Sequence, residues 1–322
     1  MTRLRLAILL AALLPAAAAA AEAAAAGEVA PGIRLLPGRF VPGQQPDGNT
    51  LVWTAPEGLV VVDTGRHVEH TQGIVDLARQ SGRPIVAVVN THWHLDHLGG
   101  NALLRKAYPD VRVYASDAFA GALGGFLAGY RKYLEGAVAE AGPEGAANER
   151  AELALLDAAP ALAPDETVTA TGPRRIAGRD FEIHLERHAV TAGDLWLFDR
   201  GAGVVVAGDL VTLPVPFLDT ACPSRWRAAL DRLSEASFGT LVPGHGAPMD
   251  RAAFDRYRRA FGGLLDCAAS ERTKTACADG WLADLGPLLP ESEHDFARQL
   301  LDYYLDTALR AAPGTRAGLC GD

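Results

Sequence analysis

The spacing of apolar positions changes character several times along this 322-residue chain. Four short β-branched runs end in polar or glycine-containing turns: GLVVVDTG (58–65), PIVAVVNTHWH (84–94), GVVVAGDL (203–210) and FGTLVPGHG (238–246). Runs of this kind predict buried strands whose last residues emerge into loops. Between the first two, HVEHTQGIVDLARQSG carries apolar residues at helical spacing and stops at a glycine; after the second, GGNALLRKAYPD reads as another short helix. Strand, helix, strand, helix is an α/β pattern. From Ala118 to about Pro164 the chain becomes alanine- and leucine-rich, broken by AGPEGAAN, which predicts a helical insertion (118–164) over one face. Strands resume with ETVTATG, RDFEIHLERHAV and DLWLFDR, and from Asp250 the pattern is helical again.

The first residues add a compartment. MTRLRLAILLAALLPAAAAAAEA places Arg3 and Arg5 before an apolar run and then small residues suited to cleavage, so 1–26 is expected to be a signal peptide. Its strongly hydrophobic part, Leu6 to Leu14, is too short to span a bilayer comfortably. The expectation is a periplasmic or secreted protein with no stable membrane anchor after cleavage. The formal charge of −9 becomes −10 once Arg3, Arg5 and Glu22 are removed, which argues against nucleic acid as a partner. Four cysteines in an oxidising compartment make disulfides plausible, and Cys267 and Cys277, flanking a polar turn, are the expected pair. No C-x-x-C spacing of a zinc knuckle is present.

The densest chemistry lies at 91–100, THWHLDHLGG, with three histidines and an aspartate in six positions. Imidazole and carboxylate are ligands for Zn²⁺, Mn²⁺ or Fe²⁺, and two residues separated by one point the same way from an extended segment. His92 and His94 therefore suit one metal, and Asp96 and His97, beyond the turn, a second. Asp209 and His245 also follow apolar runs, so ligands from three strand ends can converge, with the Asp209 carboxylate bridging two cations.

These residues carry a resemblance. THWHLDHLGGN, with VVVDTG upstream and TAGD, AGDLV and VPGHG downstream, resembles the metallo-β-lactamase superfamily from about Leu51 to Ala247. The signal sequence, HAVTAGDLWLFD and FLDTACPSRWRAALDRL are similar, more narrowly, to secreted quinoprotein relay system zinc metallohydrolases. The resemblance implies an α/β fold, an αββα sandwich with two metals at one edge of its sheets. A metallo-β-lactamase-like domain over 27–249 would carry the 118–164 insertion, with a helical C-terminal extension, 250–322, packed on it. Two zinc ions are expected, with iron or manganese as alternatives. Asp63 matches an aspartate that braces the metal loop in the family rather than binding metal, and Gly99 and Gly100 would allow a tight turn into the next helix.

One departure matters. Where many members have the histidine of GHTPGD, which completes the first metal's ligands, an ungapped match places Val190. His188, two residues earlier, would share a face with that position in an extended strand and is the expected replacement; His184 lies on the same face. His67 and His70 either line the entrance or sit on an exposed helix start, and Trp93 is expected to pack beside the site.

A bound metal lowers the pKa of water to about 7 and polarises the bond under attack, so hydrolysis is the natural chemistry. Asp96 and Asp209 are the expected catalytic carboxylates. The substrate would be a small molecule with an ester, thioester, lactam or related bond. Two other readings remain open: an iron-dependent sulfur dioxygenase, and a periplasmic accessory protein that binds a partner in a quinoprotein system.

Overall fold

The computed structural model describes residues 27–40, 44–142, 145–312, 314 and 316–321; the expected signal peptide lies outside the described residues. Two sheets face each other. The first has seven strands in sequence order: β1 (Gly27–Ala30), β2 (Ile33–Leu36), β3 (Thr50–Ala55), β4 (Gly58–Val62), β5 (Ile85–Val89), β6 (Arg112–Ser116) and β7 (Glu166–Val168). Its first four strands pair antiparallel, and β4 to β7 run parallel, as their helical connections require. The second comprises β8 (Gly172–Ile176), β9 (Arg179–Glu186), β10 (Asp194–Asp199), β11 (Val204–Thr212) and β12 (Thr240–His245), in the order β12-β11-β10-β9-β8. Strands β1 to β3, β6 and β8, which the apolar runs did not announce, are only four to six residues long and mix apolar with polar positions.

Side chains alternate across each strand, and this divides the core into layers. Between the sheets, Leu51, Val60, Val62 and Val89 meet Phe181, Ile183, Leu195, Leu197 and Val206. The outer face of the first sheet, through Leu59, Val61 and Val88, is covered by the helix Val68–Ser81, which presents Ile74, Val75 and Ala78 at helical spacing. That helix stops at Gly82, whose φ of 65° is the left-handed end that glycine accepts most readily. The outer face of the second sheet, through Trp196, Phe198, Val205 and Leu241, is buried under the helices Pro223–Leu233, Arg251–Ala268, Lys274–Leu285 and His294–Tyr304. The chain is thus an αββα sandwich, and its C-terminal helices share one continuous core with the second sheet.

Between β6 and β7 lie the helices Ala118–Gly124, Phe126–Ala141, Ala147–Asp157 and Ala159–Leu162. Their anchors, Phe119, Leu127, Leu134, Leu156 and Leu162, pack on Trp93, Leu95 and Leu98. The insertion therefore sits directly on the histidine-rich loop. Among the described residues no helix is long and apolar enough to cross a membrane.

Two disulfides are formed. Cys267–Cys277 is the expected short bridge; Cys222–Cys320 joins residues 98 apart and fastens the C-terminal segment to the loop before the helix Pro223–Leu233. Chain-entropy arguments assign about 4.7 kcal/mol to closing a loop near 100 residues and about 2.7 kcal/mol to one near ten. Cys320→Ala is accordingly expected to lower the urea unfolding free energy by about 2 kcal/mol more than Cys277→Ala. Equal losses in urea titrations of the two oxidised variants would contradict this.

Candidate metal centre

Strand ends deliver the polar residues to one edge of the sandwich. The histidine loop follows β5, Asp63 follows β4, Asp209 lies within β11 and His245 ends β12. Two groups result, His92 with His94 and Asp209, and Asp96 with His97 and His245, and within each group the ligand atoms lie within 4.8 Å of one another. Asp209 spans both: its Oδ2 is 3.7 Å from His92 Nε2, and its Oδ1 is 3.1 Å from His97 Nε2 and 3.6 Å from His245 Nε2. His92 and His94, read from the sequence as ligands of one ion, fall in the first group, and Asp96 and His97, read as ligands of a second, fall in the other.

The protons of three imidazoles can be assigned from their outer partners. Asp63, at a φ of 60°, accepts from Thr91 N–H (2.7 Å), Thr91 Oγ1–H (2.8 Å) and His97 Nδ1–H (2.7 Å). The Thr91 hydroxyl spends its one proton there, so it can only accept from His92 Nδ1, 3.0 Å away. Thr220 Oγ1–H donates to the Val190 carbonyl at 2.9 Å, so it too can only accept, here from His94 Nε2 at 3.0 Å. His92 Nε2 and His94 Nδ1 are thereby left bare, and they face each other across 2.9 Å. Two nitrogens converging this closely make a site for a cation. Asp209 Oδ1, which faces His97 and His245, is buried and without a hydrogen-bond partner. The donor set fits metal ions, borderline-soft or hard divalent ones, with nitrogen and carboxylate ligands.

Electrostatics agree. Burial holds His92 well below the usual imidazole range, helped by the neighbouring His97 and His94, and burial pushes His94 down to about 4. Both are therefore neutral ligands near pH 7. Burial also opposes charge on His97, but Asp209, Asp63 and Asp96 outweigh it and hold that imidazole well above its ordinary range; His245 is raised in the same way, chiefly by Asp209 and Asp96. Burial opposes charge on Asp209 and Asp96 too, yet the adjacent histidines keep both carboxylates below their ordinary range. A pocket of convergent carboxylates draws positive charge wherever it can find it.

Several expected positions are corrected. His188 does not reach the site: at a φ of 59° the chain leaves the extended conformation, and its Nδ1 lies 3.0 Å from the Leu319 carbonyl. The shared-face argument fails because it assumed a pleated strand. His184 stacks on Trp196, with ring centroids 3.6 Å apart, away from both groups. Gly99 and Gly100 have ordinary helical φ, so no tight turn demands them; instead a Cβ on Gly100 would lie 2.3 Å from Thr71 Oγ1. Gly244 answers to a similar constraint, since a Cβ there would lie 2.0 Å from Asp209 Oδ1. Trp93 packs edge-on against His94, at 4.7 Å between centroids. His70 is buried on Thr50 Oγ1 (2.8 Å), whereas His67 lines a cavity of about 510 Å³ with Arg39, Asp47, Arg66 and Glu152.

Sequence reasoning missed Thr220 and the pair Arg66 and Glu152. Arg66 bonds Glu152 of the insertion and comes within 3.6 Å of Asp96 Oδ1. Neither had a spacing signal.

Residues 47–245 match the family model described as the metallo-beta-lactamase superfamily. The chain belongs to this superfamily. Among relatives, it is 30% identical over 220 residues to a linear primary-alkylsulfatase of Pseudomonas sp. (strain ATCC 19151), covering 61% of this chain and 40% of that protein. It is 33% identical over 70 residues to a hydroxyacylglutathione hydrolase of Synechococcus sp. (strain WH7803), covering 22% of this chain and 26% of that protein. The chain thus spans well under half the length of these curated relatives. In fold it is similar to a metallo-beta-lactamase from Pontibacter korlensis, with a TM-score of 0.56, 20% identity, and 74% of this chain and 98% of that one covered. The inverting sec-alkylsulfatase Pisa1 of Pseudomonas sp. aligns with a TM-score of 0.59 and 21% identity over 91% of this chain and 51% of that one.

The superfamily's bracing aspartate provides a test. Asp63→Asn suits the left-handed backbone, which asparagine tolerates, but it replaces an acceptor by an amide that cannot receive all three donors. Loss of such an outer partner costs about 10- to 100-fold in metal affinity, and that loss is expected here with the far-UV circular dichroism unchanged. Calorimetric titration with Zn²⁺ checks it, and wild-type affinity in the variant would remove Asp63 from this role.

Proposed function

We propose that this superfamily member is an extracytoplasmic zinc hydrolase that cleaves an ester-type bond, whether carboxylic ester, thioester, lactam or sulfate ester, in a small molecule. The observation that carries the reading is the pair of bare histidine nitrogens facing each other in the first group, with an unpartnered Asp209 oxygen turned toward the second. The names of the relatives, an alkylsulfatase and hydroxyacylglutathione hydrolases, support hydrolysis and widen the substrate range to sulfate esters. Two disulfides, with no free cysteine among the described residues, support an oxidising compartment such as the periplasm.

His92, His94 and Asp209 would hold one ion, and Asp96, His97 and His245 the other. Divalent cations bound there supply two things, a water acidic enough to ionise near neutral pH and a positive field for charge developing on the substrate. Asp209, with one oxygen toward each group, would lower the repulsion between cations held there. Asp96 turns Oδ2 toward His245 (3.0 Å) and Oδ1 toward Arg66, so it stays an anion that would help to hold and balance the second cation. Phe217, partly buried and edge-on to His94 at 5.1 Å, gives the first group an apolar neighbour suited to the substrate's carbon skeleton. A quinoprotein system remains the proposed physiological partner, on the strength of the sequence resemblance.

Protein purified without chelator is expected to carry about two zinc ions per chain and to hydrolyse at least one of a carboxylic ester, a thioester, a lactam and an alkyl sulfate. Asp209→Asn should keep the fold and lose turnover by orders of magnitude, because a neutral amide cannot balance two cations. Iron with oxygen uptake would replace this reading by the dioxygenase. Full metal occupancy without turnover on any of the four would replace it by the accessory protein.

A further inference from the structure

The superfamily position expected to hold a third histidine for the first group is Val190, and its buried side chain offers no ligand atom. What occupies the gap is the loop Leu218–Cys222. Thr220 Oγ1 sits between the Val190 carbonyl, to which it donates at 2.9 Å, and His94 Nε2, from which it accepts at 3.0 Å. We infer that Thr220 is a positioning residue: it holds the His94 proton on Nε2 and so aims Nδ1 at the first metal, in a centre that has two histidines instead of three. This inference rests on the metal reading above, because it concerns the orientation of one ligand in that centre.

The loop is built to keep Thr220 still. Leu218 and Ala221 are fully buried, and Cys222 N–H donates to the Ala189 carbonyl at 2.9 Å. From the other side Arg316 donates to the carbonyls of Leu218 and Ala221, the latter at 2.8 Å. The Cys222–Cys320 bridge fixes that C-terminal segment, and His188 adds a contact from Nδ1 to the Leu319 carbonyl. His188, the loop and the C-terminal segment thus form one clamp, whose contact with the first group is the Thr220 hydroxyl. A threonine with only a hydroxyl hydrogen already committed to a carbonyl can stabilise just one of the two neutral forms of His94.

The chemistry predicts an effect confined to one of the two sites. A histidine ligand whose outer N–H is held by an acceptor keeps its orientation and basicity, and loss of such a partner weakens metal binding about 10- to 100-fold. Thr220→Val is nearly isosteric and removes the hydroxyl; Thr220→Ser keeps it. Both are to be made in the full oxidised chain. Nitrogen-15 NMR of histidine-labelled, chelator-treated protein is expected to show His94 as the Nε2–H form alone in wild type and in Thr220→Ser, and as a mixture of forms in Thr220→Val.

Calorimetry with Zn²⁺ is expected to show one of two sites losing about tenfold or more in Thr220→Val, with the other moving less than twofold, and wild-type affinity in Thr220→Ser. The inference is overturned if Thr220→Val keeps the single Nε2–H form and both affinities. It is equally overturned if Thr220→Ser, with native circular dichroism and both disulfides intact, behaves like Thr220→Val. Failure of wild type to bind Zn²⁺ would overturn the metal reading instead, since the NMR comparison is made without metal and still decides whether Thr220 sets the His94 form.

Discussion

The Asp63 carboxylate receives three donors at once, the Thr91 amide, the Thr91 hydroxyl and His97 Nδ1, and the geometry of the site follows from that convergence. By taking the Thr91 proton it decides which nitrogen of His92 is bare, and by taking the His97 proton it turns that ring's Nε2 toward Asp209. One buried anion therefore orients a ligand in each group. Its cost is a left-handed backbone at a residue other than glycine and a charge removed from water, a cost that the three hydrogen bonds reduce without cancelling. Burial raises the affinity of Asp63 for a proton, and the three donors and the nearby His97 work in the opposite direction.

The sandwich makes such precision affordable. Asp63 and Thr91 leave neighbouring parallel strands, β4 and β5, whose paired register fixes their separation before any side chain is placed. Asp209 and His245 belong to a second parallel pair, β11 and β12, in the opposing sheet. The apolar layer between the sheets holds these two pairs at a set distance, so a single packed interior aligns both halves of the site. Sites built on strands in this way tolerate less drift than sites carried by loops alone.

Two appendages press on the same edge. The helical insertion packs its leucines on Trp93, Leu95 and Leu98, and ties Glu152 to Arg66 beside Asp96. The C-terminal helices bury the outer face of the second sheet, and the last segment, through Arg316 and Cys320, secures the loop that carries Thr220. Both therefore reach the ligands through their outer neighbours. Sequence change in either appendage can alter metal binding without touching a ligand.

The residues themselves determined a good deal. Apolar runs bounded by turns mark β4, β5, β11 and β12, and the six-residue cluster of histidines and aspartate names four of the six grouped side chains, because strand period and ligand chemistry are local properties. Asp209 and His245 were legible for the same reason, each ending or interrupting such a run. The short strands β1 to β3, β6 and β8 were not, because they mix polar and apolar positions instead of forming an unbroken β-branched run. What tertiary structure alone decided lies in contacts between distant parts of the chain. Thr220 meets His94 across 126 positions and Cys222 meets Cys320 across 98, separations at which no spacing rule operates. His188 was misplaced because its backbone turns left-handed, which sends the ring to Leu319; an argument from the pleat holds only while the chain stays extended, and the packing of the C-terminal segment decides where it does not.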